Sequence, residues 1–320
     1  MSRLGALGRA LRRGLLEPDY PLLAVEVRPQ AVAVAHLGRE RGVLALRAAT
    51  SQDLPAGCLH PALAQPNVLQ PEAFRAALRA ALERAGAGDA QRCCLVLPDP
   101  AGRLALLPAE ELRGKRSAEV EELARFRLRK ALPFDVREAR LAIGPDGARP
   151  GAPHVPAAVV HRPVLEQYEE LLAAEGLQAG LVELAGWVCL EAASRAHPQG
   201  DRLVVNWDTG YVTLVVGRAG RPLLARTLTE GAVADPAVVS REVTATALYY
   251  RDRLGGAGLA GVTVRSAALP PREAAALLGS LLSLPVESLD PWAGLAAAPG
   301  RESLPEGLAL ALASAVGRAA

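Results

Sequence analysis

The sequence predicts an α/β fold of two related lobes facing a cleft, with a smaller α+β unit inserted into the first. Three observations lead there. Residues 22–38 and 202–217 share one pattern, in which an apolar strand, a tight polar turn and a second apolar strand end on a glycine, and a helical stretch lies downstream of each. Between the two copies lies a charged helix, two strands, a further helix and a strand. The length of 320 residues suits roughly two domains.

Residues 1–16 set Leu4, Leu7, Leu11 and Leu15 at helical spacing among Arg3, Arg9, Arg12 and Arg13. Such a basic amphipathic leader either lies on an anionic membrane surface or packs as a frayed helix on its own domain. Short apolar runs at 22–27, 31–37 and 43–48, separated by Arg28-Pro29 and Gly42, predict a β-meander. A Pro-rich loop (54–70) follows, then a helix over 71–85 with Phe74, Leu78, Ala81 and Leu82 on one face, and strands at 92–97 and 103–107. The charged helix over 117–131 has a thin stripe of Val120, Leu123 and Leu128 and is closed by Leu132-Pro133-Phe134. Strands at 139–143 and 154–160 flank a Gly/Pro loop, and a helix over 163–175 stops at Gly176. The second half predicts strands at 202–207, 211–216 and 223–229, then a helix over 238–253 and a strand at 262–264. It closes with helices over 271–282 and 304–318. The predicted domains are a leader (1–20), a first lobe (21–107 with 184–200), the insertion (108–183) and a second lobe (201–320).

Composition narrows the function. The net charge is +2, and Arg is used almost to the exclusion of Lys, which occurs only at Lys115 and Lys130. No concentrated basic excess marks a nucleic-acid binder. Cys58, Cys93, Cys94 and Cys189 form no CxxC and have no His at ligand spacing, so neither a metal nor a redox motif is expected. Cys93 and Cys94 fall in an apolar run and are read as buried strand residues of a reduced, cytosolic chain. No run of about 18 apolar residues is present to span a membrane. There is no GxxxxGK[ST], since Gly114-Lys115 is followed by Arg116, and no GxSxG or HExxH. The five histidines share no spacing that would suggest a site.

The two tight turns are the candidate site. In a nucleotide-hydrolysing protein built this way they would clamp the phosphates, with Asp holding Mg²⁺ through water and small residues letting backbone N–H groups approach. The first turn has Glu26 where an Asp is wanted, then Arg28-Pro29-Gln30; proline supplies no N–H and restricts Arg28 as well. The second has Asn206, without charge, then Asp208, Thr209 and Gly210, which retain the makings of a polar turn. Glu26, Asn206, Asp208, Thr209 and Gly210 are therefore expected to line a vestigial nucleotide cleft.

In its order of motifs the chain, from Pro21 onwards, resembles the PilM group of type IV pilus assembly proteins, which have the actin-like fold of FtsA. The family's first strand pair falls on residues 24–28 with Val32-Ala33, and its helix into an Ile-Pro-Phe turn on 128–141, where Leu132-Pro133-Phe134 matches closely. Its second clamp falls on residues 206–209, and the Arg and Gly of its third strand fall on Arg226 and Gly231. Its helix ending in a Tyr pair falls on 242–250, with Tyr249-Tyr250, and its late Gly-Gly adenine turn falls on Ser266-Ala267, where that signature is lost.

The resemblance implies lobes of the 1A and 2A kind, an inserted 1C-like subdomain, and a 2B-like part near 232–260. It also implies a role as a cytoplasmic scaffold at the inner membrane that binds the cytoplasmic tail of a PilN-like protein and meets pilus platform and motor proteins, as the related GspL domain does in type II secretion. No nucleotide or metal is required for that role, though ATP with Mg²⁺ is the family's cofactor pair. Two alternatives stay open. One is an active ATPase or sugar kinase of the same superfamily, with Glu26 and Asp208 holding Mg²⁺; the other is an FtsA-like filament scaffold anchored by residues 1–16.

Overall fold

The structure, a computed structural model, describes residues 20–40, 43–144, 153–229, 235–282, 284–292 and 309–319, with Val233. The leader expected over 1–16, and Gly231, lie outside the described residues. The chain opens with β1 (Leu23–Arg28), β2 (Ala31–Glu40) and β3 (Val43–Asp53), an antiparallel meander. A two-residue turn, Pro29-Gln30, joins the first two strands, pairing Arg28 with Ala31 and using the φ that proline prefers. Helix α1 (Pro71–Arg84) begins on a proline whose missing N–H has no partner to lose there. It buries Phe74, Leu78 and Ala81 against the sheet. β4 (Arg92–Leu97) then lies parallel to β1 on its other side. Cys93 and Cys94 are buried in it, as read from the sequence.

The insertion follows. β5 (Gly102–Pro108), the short α2 (Ala109–Leu112), α3 (Ser117–Leu128), β6 (Ala139–Ile143) and β7 (His154–His161) form a three-stranded antiparallel sheet in the order β5-β7-β6. The insertion has its own core, with Ala124 and Leu128 of α3 meeting Val155, Ala157 and Val159 of β7. Helix α3 ends three residues earlier than expected; after the turn Phe134 stacks on His161 with ring centroids 4.2 Å apart.

Helix α4 (Arg162–Ala173) and β8 (Gln178–Leu184) return to the first lobe. β8 pairs parallel with β4, and Val164, Tyr168 and Leu172 join the core of the first sheet. The sheet of the insertion runs from β5 to β7. The apolar face of α4 draws that helix back onto the first lobe.

Helix α5 (Ala185–Ala196) crosses to the second lobe, which repeats the plan of the first. β9 (Asp201–Asp208), β10 (Tyr211–Arg218) and β11 (Arg221–Thr229) form a meander. α6 (Pro236–Arg253) follows, and β12 (Leu259–Ser266) lies parallel to β9. α7 (Pro271–Leu281) leads to β13 (Val286–Ser288), parallel to β12. The strand orders are β3-β2-β1-β4-β8 and β11-β10-β9-β12-β13, the same arrangement twice. The 2B-like part expected near 232–260 supplies α6, which buries Val239, Val243 and Tyr250 in the second core.

The last helix, α8 (Ala309–Ala319), does not belong to the second lobe alone. Ala311, Leu312, Ala315 and Val316 pack on the back of the first sheet against Ala24, Ala33 and Ala35. Leu310 and Ala313 join α5, Val204 and Val215 between the lobes. The small side chains of β1 and β2 on that face let the helix approach closely.

Candidate functional site

The period of two along a strand decides which residues reach the interior between the lobes. On β1, Leu23, Val25 and Val27 face the α1 side, while Ala24 faces α8; Glu26 shares the face of Ala24. On β9, Leu203, Val205 and Trp207 face α6 and α7, while Val204 faces α5; Asn206 and Asp208 share that inner face. On β12, Val262 and Val264 face outwards, leaving Thr263 and Arg265 inside. Three strands from two lobes thus direct Glu26, Asn206, Asp208 and Arg265 to one place.

They meet there around the guanidinium of Arg265. Its Nη2 donates to Glu26 Oε1 at 2.5 Å, and its Nη1 donates to Asn206 Oδ1 at 3.1 Å and also to Asp208 Oδ2. Arg265, Glu26 and Asp208 have side chains about 1% exposed, so the charges are out of water. Arg28 approaches from the first lobe, with Nε 3.5 Å from Asp208 Oδ2. The other oxygen of Glu26, Oε2, accepts the N–H of Ala311 in the first turn of α8 at 3.0 Å, a helix end that lacks an internal partner and favours negative charge.

Asp99, in the 3₁₀ turn after β4, extends the network. Its Oδ1 accepts the N–H of Gly186 in the first turn of α5 at 2.8 Å, and its Oδ2 accepts from Asn206 Nδ2 at 2.9 Å. Gly186 is needed here. A Cβ would sit 2.9 Å from Thr213 Cγ2 and 3.1 Å from Asp99 Oδ2.

The electrostatics follow from burial and pairing. Burial works against the charge on Arg265, yet Asp208 and Glu26 outweigh it and raise its pKa, so the residue is a permanent cation. Burial pushes the Glu26 carboxyl up, with Arg265 and then Arg28 opposing. Burial also raises Asp99, against the Gly186 N–H and the Thr213 and Asn206 side chains.

The tight turns border an open cleft of about 960 Å³ between the lobes and the insertion. Pro29 and Gln30 of the first turn, Thr209, Gly210 and Tyr211 of the second, and Asp99, Gly186 and Thr213 line it. Leu59, Leu63, Leu104 and Pro133 supply apolar surface toward the insertion, beside His60, Gln65 and Arg103. Gly210 takes φ +82° to close its turn. The Thr209 N–H is engaged inwards, on Asp208 Oδ1 at 2.8 Å.

Of the five residues expected in the cleft, Glu26, Asn206 and Asp208 join in one buried cluster behind it, and Thr209 and Gly210 line it. Arg265 and Asp99 are site residues that the sequence reading missed. The alternation in Val262-Thr263-Val264-Arg265 carried the signal for the first; nothing local marked the second. Ser266-Ala267 closes on itself, Ser266 Oγ accepting the Leu269 N–H at 3.0 Å. Of the Tyr pair, Tyr250 is buried with its hydroxyl on Asp201 while Tyr249 is exposed. Gly256, Gly258 and Gly261 have GxGxxG spacing but lead into β12, the reverse of the strand-to-helix context a dinucleotide needs. Among the described residues no His/Cys/Asp/Glu group is arranged to hold a metal ion, and no helix is long and apolar enough to cross a membrane.

No protein-family model matches the sequence, and no curated protein matches it at a significant level. Solved structures do. A chain of the PilM–PilN type IV pilus biogenesis complex superposes with a TM-score of 0.74 at 20% identity, over 94% of this chain and 98% of that one. The chain has the PilM-type, actin-like fold. The cytoplasmic domain of EpsL, an inner membrane component of the type II secretion system of Vibrio cholerae, is similar at a TM-score of 0.50 and 12% identity, over 91% of this chain and 92% of that domain. The duplicated sheets, the inserted subdomain and the two crossing helices are therefore elements of a PilM-type architecture.

Proposed function

We propose that this chain is a pilus or secretion assembly adaptor that binds the cytoplasmic tail of a PilN-like membrane protein and does not hydrolyse nucleotide. The observation that carries the reading is the Arg265 guanidinium, which sits among Glu26, Asn206 and Asp208 where a nucleotide-bound Mg²⁺ would need them. Both clamps are compromised besides: Pro29 has no N–H to offer, and that of Thr209 is engaged on Asp208. A phosphoryl-transfer site depends on metal and donors free to face the phosphates. The likeness in fold to a chain of a PilM–PilN complex supports the partner.

The tail's seat on this reading is the apolar side of the cleft, between the loop around Leu59 and Leu63 and the insertion at Leu104 and Pro133. An extended peptide finds there apolar surface interspersed with the polar groups of His60, Gln65 and Arg103. Calorimetric titration with a PilN-type tail peptide, and separately with Mg-ATP, tests it. Peptide binding that is lost in Ala64→Arg, in the cleft lining, with no heat from Mg-ATP, is the expected result. Micromolar Mg-ATP binding abolished by Asp208→Ala overturns the adaptor reading in favour of a working ATPase.

A further inference from the structure

We infer that the lobes are held closed by a built-in ionic latch, two crossed ion pairs that take over the part a dissociable metal and nucleotide would play in setting the cleft's width. This rests on the reading of the cleft as one that no longer cycles with nucleotide. The pairs are reciprocal: Glu26 of the first lobe reaches Arg265 of the second, and Arg28 of the first lobe reaches Asp208 of the second. The Arg265–Asp208 bond within the second lobe ties them into one unit. In the latch itself two carboxylates face two guanidinium groups, and a third buried carboxylate, Asp99, joins them through Asn206.

Three features make this a latch and not merely a core detail. All four charges are covalently attached, so the closing cations cannot diffuse away as a metal can. They lie in the interior, where screening by salt is weak; parting the lobes would break Glu26–Arg265 and Arg28–Asp208 together, leaving Glu26 and Arg28 without these partners. The same cluster also fixes both helices that cross between the lobes. Asp99 accepts the N–H of Gly186 at the start of α5, and Glu26 accepts that of Ala311 at the start of α8. Asn206 links the two carboxylates through Arg265 and its own amide. Opening would require strand contacts and helix starts to give way together.

All four native cysteines are buried, so spin labels can be placed at Glu83→Cys in the first lobe and Arg253→Cys in the second. Pulsed electron–electron distance measurement on the full chain then reads the lobe separation. The wild-type background should give one narrow distribution, unmoved by saturating Mg-ATP. Arg265→Met should shift it to longer distances. Arg28→Gln, at the edge of the cluster with its side chain 13% exposed, should broaden it in the same direction, and serves where Arg265→Met does not fold. Adding Asp208→Asn to Arg28→Gln should broaden it less than the sum of the two single changes. A wild-type distribution that moves with Mg-ATP, or an Arg28→Gln chain with the wild-type distribution, overturns the latch. Tail-peptide titration of the same labelled protein separates the two claims: absent binding with an intact narrow distribution overturns the adaptor reading alone, and retained binding with mobile lobes overturns the latch alone.

Discussion

Arg265 holds three partners, Glu26, Asn206 and Asp208, and its removal should be costly in a specific way. Arg265→Met leaves Glu26 and Asp208 as buried carboxylates with only Arg28, at Asp208, to offset them, a loss of about 3–5 kcal/mol by the usual cost of breaking a buried pair. Combining it with Glu26→Gln and Asp208→Asn removes the stranded charges, so the triple variant should recover most of that loss. Urea unfolding of the three proteins checks both steps, and a triple variant no better than the single one would show that shape, not charge, is what Arg265 supplies. Asp201 offers a second test at this scale. The Arg218 guanidinium beside it, opposed by burial and helped by the Tyr250 hydroxyl, holds its carboxyl below the usual carboxylate range. A depressed folded pKa stabilises above the unfolded value, near pH 4, and that contribution disappears as pH falls through the folded value. Asp201→Asn should therefore lower stability by about 1.5–3 kcal/mol at neutral pH, and thermal melts should show the gap to wild type closing only in acid.

Among elements, the two crossing helices depend most on single positions. Gly186→Ala puts a methyl against Thr213 Cγ2 and both Asp99 oxygens, a clash worth about 1–3 kcal/mol. Thr213→Ser removes Cγ2 and should return part of the loss in a melting experiment. The elements also show what the sequence could and could not disclose. The meanders were legible because their apolar residues alternate on strands flanked by Pro and Gly, and nearly every strand end fell within a few residues of its expected place. Glu26, Asn206 and Asp208 stood out as polar residues in otherwise apolar strands. Asp99 sits in a Pro98-Asp99-Pro100 turn that looks like any loop; its role depends on a helix start 87 positions away. The strand after α4 was expected without exact ends and is β8; the helix α5 was passed over because small residues, Ala, Gly and Cys, blur its period.

For the molecule as a whole, the final helix is where sequence order misleads. It follows the second lobe in the chain but packs on the first sheet as well as between the lobes. Truncation before residue 309 should therefore loosen β1 and β2 as much as the second lobe. Hydrogen exchange is the measurement: faster exchange at Ala33 and Ala35 is expected, and unchanged protection there would mean α8 is dispensable to the first lobe. The central cluster has a consequence for heat. The penalty for keeping ions from water falls as temperature rises, while apolar stabilisation per unit area levels off. On warming, the outer helices and the insertion lose their relative advantage first, and Glu26, Arg28, Asp208 and Arg265 become the last junction between the halves to fail.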